Sequence, residues 1–300
     1  MATRSRGPAA GFGWLSRGIS ASFRHPKPLF GGAFLVVLAA LVPALITMPM
    51  QFYVMYSGTP PHMATLAGIA AISMLLGLLV LPIYAGYLQV VDTAEAGRPA
   101  RARDVVKPFR EGKALRVIGY GIVMAVIYLA IFALIFVSTG SGVGHWYLEA
   151  LTAQANHLPP PTTLPEGFWR TMLLAALFGI FMMGFYAIGL GQVTLRNRGV
   201  FGAVSDGVIG ALKNLLPLLM LVVGLLVVWV GIVICFVIAA MVIALLGKLA
   251  GAWLALVLVI PLYIALLLAM FMMMFGVMYH LWRDVCGDDM DVDTAAAIAV

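Results

Sequence analysis

The chain has 300 residues, of which 63% are hydrophobic and 10% are charged, and its formal net charge at pH 7 is +6. Soluble domains carry roughly a quarter charged residues, so this composition excludes a soluble globular protein and indicates one that resides in a lipid bilayer. The two cysteines, Cys235 and Cys286, exclude a disulfide framework and a zinc site of the CxxC type. The basic residues lie beside apolar runs, which favours anionic lipid headgroups over nucleic acid as their partner.

Six apolar stretches are long enough to cross a bilayer, for which a helix needs ~20 residues. In chain order they cover residues 28–50, 63–91, 115–139, 168–195, 215–246 and 252–282. Prolines inside these stretches are tolerated because neighbouring helices can satisfy the freed carbonyl groups. The predicted fold class is therefore all-α, with residues 1–300 forming a single integral membrane domain of six transmembrane helices.

The distribution of lysine and arginine predicts the orientation. All of these residues except Arg170 and Lys248 fall on one side of the six-helix threading, and the positive-inside rule places that side, with both termini, in the cytoplasm. Tryptophans are expected at the two membrane interfaces. Trp169 and Trp253 lie at the outer ends of predicted spans, and Trp14 and Trp282 lie near the inner face.

Polar joints precede the first, third and fifth spans, at residues 11–23, 104–113 and 200–212. Two of them carry an apolar stripe at helical spacing, which predicts short helices lying in the cytoplasmic membrane interface. The first stripe is Phe12, Leu15, Ile19 and Phe23, and the second is Val200, Phe201, Val204, Val208 and Leu212. The middle joint contains Pro108, and we predict a short interfacial helix there as well.

Local similarities suggest an internal repeat. Residues 17–19 (RGI) resemble residues 206–208 (DGV), and residues 80–84 (VLPIY) resemble residues 259–263 (VIPLY). We therefore predict three like-oriented hairpins, each preceded by a cytoplasmic interfacial helix, in units 11–98, 99–197 and 198–284. Residues 285–300 form an acidic tail. The outer loop 140–167 is predicted to form one or two helical turns at 145–155, followed by an extended proline-rich return.

The sequence carries no recognisable motif for catalysis, ion-coupled transport or metal binding. All twelve acidic residues fall outside the predicted apolar spans, whereas ion-coupled transporters usually hold an ionisable residue inside the membrane. The histidines lack the spacing of a metal site, and residues 289–300 lack the glycine and glutamate that an EF-hand loop requires. The sequence also lacks the Gly-x-Ser-x-Gly nucleophile elbow of serine hydrolases and the P-loop that binds nucleotide phosphates. We expect no catalytic residue, no metal and no cofactor, and hence no enzyme.

Two sets of residues are candidates for binding and packing. The basic loop between spans two and three is predicted to bind anionic lipid headgroups, to which each such residue contributes ~1 kcal/mol; setting the orientation alone is the open alternative. Its members are Arg98, Arg101, Arg103, Lys107, Arg110, Lys113 and Arg116. Gln51, Gln89 and Gln192 lie near span ends and are predicted to join helices by hydrogen bonds; the alternative is that they line a polar cavity.

Residues 11–27, 82–112 and 279–284 (YHLWRD) carry a resemblance. They resemble an uncharacterised family of bacterial, largely proteobacterial, multi-pass inner-membrane proteins. The chain is also distantly similar to the membrane domain of some glycerophosphodiester phosphodiesterases. The resemblance implies the bacterial inner (cytoplasmic) membrane, but it implies no activity and no catalytic residues. The phosphodiesterase barrel has no counterpart in this sequence, so that reaction is not expected.

The sequence thus leads to two functional hypotheses. The first is a non-enzymatic membrane module that engages lipids, anionic ones above all, or a protein partner, including a second copy of the chain. The alternative is an uncoupled transporter, lipid translocator or channel. A closed bundle with a polar groove at the inner face would favour the module, and a hydrated central cavity between the hairpins would favour transport.

Overall fold

The computed structural model describes residues 3–56, 62–139, 142–156, 158–159 and 161–287. In this part of the chain every regular element is helical, which confirms the predicted all-α class. Six helices are long and apolar enough to cross a membrane, as predicted. The acidic residues from 288 onward, His157 and Ser141 lie outside the described residues.

The helices follow the apolar stretches closely. The six long ones are α2 (Pro26–Tyr56), α3 (Met63–Glu95), α5 (Ala114–Thr139), α7 (Phe168–Leu195), α9 (Leu215–Ala250) and α10 (Ala252–Cys286). The short ones are α1 (Ala10–Arg24), α4 (Lys107–Arg110), α6 (Gly142–Ala155) and α8 (Val200–Lys213), with a 3₁₀ helix at Ala102–Val106. α3 and α10 run past the predicted ends at 91 and 282, because backbone hydrogen bonding continues through charged residues whose side chains find partners.

Two predicted joints have a different form. The middle one is a 3₁₀ helix followed by the single turn of α4. The backbone N–H of Arg101 donates to Asp104 Oδ2 at 3.2 Å and so fixes the start of the 3₁₀ helix, while Pro108 sits in the first turn of α4, where proline is tolerated. The outer loop carries a complete helix, α6, instead of the one or two turns expected.

Each of the three short elements that precede a span packs on two long helices. α1 contacts α9 and α10, the 3₁₀ helix contacts α2 and α3, and α8 contacts α7 and α5. Glycines permit the close approach: a β-carbon at Gly18 of α1 would lie 2.6 Å from the backbone nitrogen of Val277 in α10. A β-carbon at Gly207 of α8 would lie 2.9 Å from the carbonyl oxygen of Phe185 in α7. The short elements are therefore packed parts of the bundle.

The two ends of the described chain meet. The backbone N–H of Arg4 donates to the carbonyl oxygen of Val285 at 2.9 Å. Asn214, between α8 and α9, accepts a hydrogen bond from the backbone N–H of Arg6 at 2.8 Å and donates to the carbonyl of Arg4 at 2.9 Å. Residues ahead of α1 are thus held by the start of α9 and the end of α10.

Close packing is confined to one half of the bundle. Among the described residues, every buried apolar side chain lies within residues 14–36, 80–124, 182–221 or 268–286. These segments surround the place where the C-terminal ends of α3, α7 and α10 come together, which we call the basic end. In the opposite half, large apolar side chains such as Leu45, Leu134 and Met241 are more than 60% exposed. Such a surface suits contact with acyl chains.

Buried aromatic rings, which we call the aromatic layer, pack in the half of the bundle that carries the basic end. The rings of Tyr87 (α3) and Phe275 (α10) meet edge to face with centroids 4.9 Å apart. Tyr87 donates a hydrogen bond from its hydroxyl to the carbonyl oxygen of Leu29 at 3.0 Å. Phe185 of α7 and Tyr120 of α5 are also fully buried. Aromatic rings thus contribute to the tight packing of this half of the bundle.

Candidate functional site

A polar cavity of about 730 Å³ lies at the basic end, where α3, α7 and α10 finish. We refer to it below as the polar cavity. Its lining residues come from these three helices and the turns that follow them: Asp92, Glu95, Ala96, Arg98, Leu195, Arg196, Tyr279, Trp282, Arg283 and Gly287. Ligand pockets in proteins span roughly 300–1,000 Å³, so this cavity has the size of a small-molecule or headgroup site.

Three guanidinium groups line the polar cavity, one contributed by each converging chain segment. Arg98 lies 3.0 Å from Asp92 Oδ2. Tyr279 lines the same cavity beside Asp92 and Arg283. Arg196 stands over the indole ring of Trp282, 5.9 Å from its centroid. The cavity wall is therefore a connected network with more positive than negative groups.

Glu95 is the most deeply buried acid of the network, with a side chain only 4% exposed. Arg24, the last residue of α1, approaches its Oε2 to 3.2 Å. The imidazole of His25 lies 3.7 Å from Oε1, and that of His280 lies 3.4 Å from Oε2. A buried carboxylate requires such partners, because an unpaired one is costly. Glu95 thus holds α1, α3 and α10 together beside the polar cavity.

A half-buried acid, Asp284, fastens α1 to α10. Asp284 accepts hydrogen bonds from the indole N–H of Trp14 at 2.8 Å and from the guanidinium of Arg17 at 3.2 Å. His280 and Asp284 are one helical turn apart, so both face α1. The same face of α10 carries Gly276, at which a β-carbon would lie 2.7 Å from the carbonyl oxygen of Gly18.

Two polar atoms of residues that line the polar cavity are buried without a hydrogen-bond partner in the described structure. They are Trp282 Nε1 and Glu95 Oε1. Leaving such a group unsatisfied costs roughly 1–3 kcal/mol.

The predicted packing amides fall into two groups. Gln89 donates to the carbonyl oxygen of Thr194 at 3.4 Å, and Gln192 donates to Asp206 Oδ2 at 2.9 Å, so both bond to a neighbouring helix. Gln51 instead bonds to Thr47 Oγ1, one turn earlier in its own helix, at 3.4 Å. The stabilising contribution of all three remains a prediction.

The seven predicted headgroup residues do not form one site. Arg98 lines the polar cavity, while Arg101, Arg103 and Arg110 are exposed around the 3₁₀ helix and α4. The other three have protein partners: Lys107 and Lys113 lie 3.6 and 2.6 Å from Glu111, and Arg116 donates to Asn197 Oδ1 at 2.9 Å. The hydrogen bond from Lys113 lowers the pKa of Glu111, which keeps this carboxyl ionised.

Sequence reasoning misplaced two tryptophans. Trp14 and Trp282, expected in an interfacial belt, are 0% and 5% exposed, because Trp14 packs against α10, where it donates to Asp284, and Trp282 packs on Gly191 of α7. Trp169 and Trp253, expected at the opposite interface, are exposed.

The sequence also gave no separate weight to Glu95 and Asp284. The spacing of Gly276, His280 and Asp284, each four residues apart, was the available signal: small and polar residues on one face of an apolar helix mark a helix–helix contact. Among the described residues, no group of His, Cys, Asp and Glu side chains converges into a metal site.

Comparison with protein-family models, curated proteins and solved structures gave no significant match.

Proposed function

We propose that this protein is a non-enzymatic, lipid-engaging module of the bacterial inner membrane. The observation that carries the proposal is the polar cavity, an arginine-rich pocket placed where three apolar helices end. Charged residues immediately after apolar helices lie at the depth of lipid headgroups. The exposed arginines of the neighbouring loop extend the same positive surface, and the resemblance to inner-membrane proteins agrees with this localisation.

Three like-oriented hairpins are part of the proposal. In it, α2 with α3, α5 with α7, and α9 with α10 each form one unit, and the basic end with both termini faces the cytoplasm. The contacts within each helix pair support the pairing. Each short element packs on the preceding pair, with α1 packing on the last one. A cyclic arrangement of three repeats would produce this pattern.

The aromatic layer favours the module over the alternative of an uncoupled transporter, lipid translocator or channel. Tyr87 and Phe275 are at most 2% exposed and pack directly against each other below the polar cavity. Their direct contact excludes water between α3 and α10 at this point, which supports a closed bundle with a polar groove at one face.

The test measures anionic lipid retained by the purified protein. The triple variant Arg101→Gln, Arg103→Gln and Lys107→Gln removes exposed positive charge beside the membrane. Since each such residue contributes about 1 kcal/mol of attraction to an anionic surface, native mass spectrometry from phosphatidylglycerol-containing bilayers should show fewer bound lipids. The control variant, Arg170→Gln with Lys248→Gln, neutralises exposed charges at the opposite end and should leave retention unchanged. Equal retention in the triple variant would leave the loop with a role in orientation alone.

A further inference from the structure

We propose that two lateral crevices of the bundle each bind one acyl chain of a bilayer phospholipid. One lies between α5 and α7 and the other between α9 and α10, and we call them the α5–α7 crevice and the α9–α10 crevice. This inference rests on the proposed lipid-engaging function. It adds the chain of the lipid to the headgroup that the basic end attracts.

Both crevices are lined by apolar and aromatic side chains and open to the side of the bundle. The α5–α7 crevice has a volume of about 380 Å³, and its lining includes Met124, Tyr128 and Met182. The α9–α10 crevice has a volume of about 440 Å³, and its lining includes Leu225, Trp229 and Met273. Apolar space of this kind does not hold water, and flexible methionine side chains adapt to apolar ligands. The lining therefore suits a hydrocarbon chain.

Close contacts bound the α5–α7 crevice along the helix axes. Toward the basic end, a β-carbon at Gly189 of α7 would collide with the hydroxyl of Tyr120 of α5, so the two helices touch there. In the other direction, the rings of Tyr128 and Phe178 lie with their centroids 5.7 Å apart. The helices thus separate over a limited stretch between two contacts, which makes the crevice a defined site.

The two crevices lie at the same depth. Each is centred roughly 12 residues, or about 18 Å at 1.5 Å per residue, from the helix ends at the basic end. Half of the hydrocarbon core of a bilayer is about 15 Å thick. A phospholipid with its headgroup at the basic end can therefore reach either crevice with the far part of its chain.

Size favours a single chain over a helix of a second protein copy. An α-helix is about 10–12 Å across, so one turn of it alone fills about 400 Å³ or more. Neither crevice has room for a helix that crosses the membrane, whereas an extended acyl chain is a much thinner rod. All four helices are candidate membrane spans, so the medium beside these openings is the hydrocarbon of the bilayer.

The first experiment fills the α5–α7 crevice. Gly179 lines it, and a β-carbon there would meet no atom within 4 Å, so Gly179→Leu adds a side chain from a position with free space. The protein is released from phosphatidylglycerol-containing bilayers into native mass spectrometry at high salt, which screens the attraction of lipids to exposed charges. Wild type should retain two phospholipids, and Gly179→Leu should retain one.

Gly77→Leu is the matched control. A β-carbon at Gly77 of α3 would also meet no atom within 4 Å, and this residue lines neither crevice. The control should retain two phospholipids, as wild type does. If Gly179→Leu and Gly77→Leu retain the same number, or if wild type retains none, the inference is overturned. A dimer in place of the retained phospholipids would assign the openings to a second copy and would also overturn it.

The second experiment uses Trp229, which lines the α9–α10 crevice and is 55% exposed. Phosphatidylglycerol with brominated chains quenches tryptophan fluorescence on contact, and the signal that Trp229→Phe removes belongs to this residue. In wild type, the quenching should saturate at a low fraction of brominated lipid. Val228→Phe narrows the crevice and should lose this saturation, whereas Val227→Phe, at an exposed position outside the lining, should keep it. Quenching that rises in proportion to the brominated lipid in wild type would refute a bound chain.

The outcomes for the chain and for the headgroup are separable. The triple variant Arg101→Gln, Arg103→Gln and Lys107→Gln leaves both crevices intact and tests anionic headgroup attraction at low salt. If it loses anionic lipid while Gly179→Leu loses none at high salt, the proposed function stands and the inference is wrong. If it loses none while Gly179→Leu loses one phospholipid, chain binding stands and headgroup attraction by the loop is refuted.

Discussion

Replacing Gly18 by alanine should loosen α1 from α10. The added β-carbon would lie 2.6 Å from the nitrogen and 2.9 Å from the α-carbon of Val277. Non-bonded carbon atoms prefer about 3.5–4.0 Å, and both obstructing atoms belong to the backbone, so α1 has to withdraw by roughly 1 Å. That shift also lengthens the 2.8 Å hydrogen bond between Trp14 and Asp284.

The expected loss of stability follows from three contributions. Overpacking of a close contact costs about 1–3 kcal/mol, and a weakened hydrogen bond costs about 1 kcal/mol more. Alanine favours the helix over glycine by about 1 kcal/mol, which offsets part of the loss. The net destabilisation should therefore be about 1–3 kcal/mol.

Gly13→Ala is the matched control in the same helix. A β-carbon at Gly13 would meet only the end of the Arg17 side chain, at 3.9 Å, so this variant should be as stable as the parent or slightly more so. Unfolding of both variants in mixed micelles, followed against the fraction of sodium dodecyl sulfate, gives the comparison. If Gly18→Ala unfolds at the same denaturant fraction as Gly13→Ala, close packing of α1 on α10 is refuted.

Three further outcomes are expected. In a background without native cysteines, an impermeant thiol reagent applied to spheroplasts should modify Glu149→Cys in α6 and spare Arg110→Cys; the opposite pattern would reverse the proposed orientation. Asp206→Asn should cost about 1–3 kcal/mol of unfolding free energy in the same micelle assay, because the carboxylate accepts hydrogen bonds from Gln192 at 2.9 Å and Arg198 at 3.2 Å. Glu95→Gln should destabilise by a similar amount, since it removes the buried carboxylate that Arg24 approaches to 3.2 Å and His280 to 3.4 Å; unchanged stability would mean that the cluster is solvated.

The spanning helices could be predicted because their signal is local. A continuous apolar run defines each one, and a bilayer tolerates few other structures. The ends of these helices could not be predicted in the same way, because the apolar run stops at Val91 whereas α3 continues to Glu95. What sustains that last turn is Arg24, which is 71 positions away in sequence, and no local pattern reports such a partner.

The candidate site was predictable only in part, for a similar reason. Arg98 was identified by its charge, and it does line the polar cavity. Arg196 and Arg283 were counted among the basic residues that set orientation, yet the fold brings them to the same cavity. Trp14 was assigned to an interface because sequence gives the depth of a residue but not the neighbour that covers it.

The position of α1 bears on how the chain assembles during synthesis. α1 is made long before its partners α9 and α10, and Arg17 finds its carboxylate partner 267 positions later. Until α10 has entered the membrane, Gly18 of α1 lacks the backbone of Val277 on which it packs. Insertion of α10 is then the step that fixes α1 in place, so the finished bundle forms late and in one step. Chains that stall before α10 should expose α1 to membrane proteases.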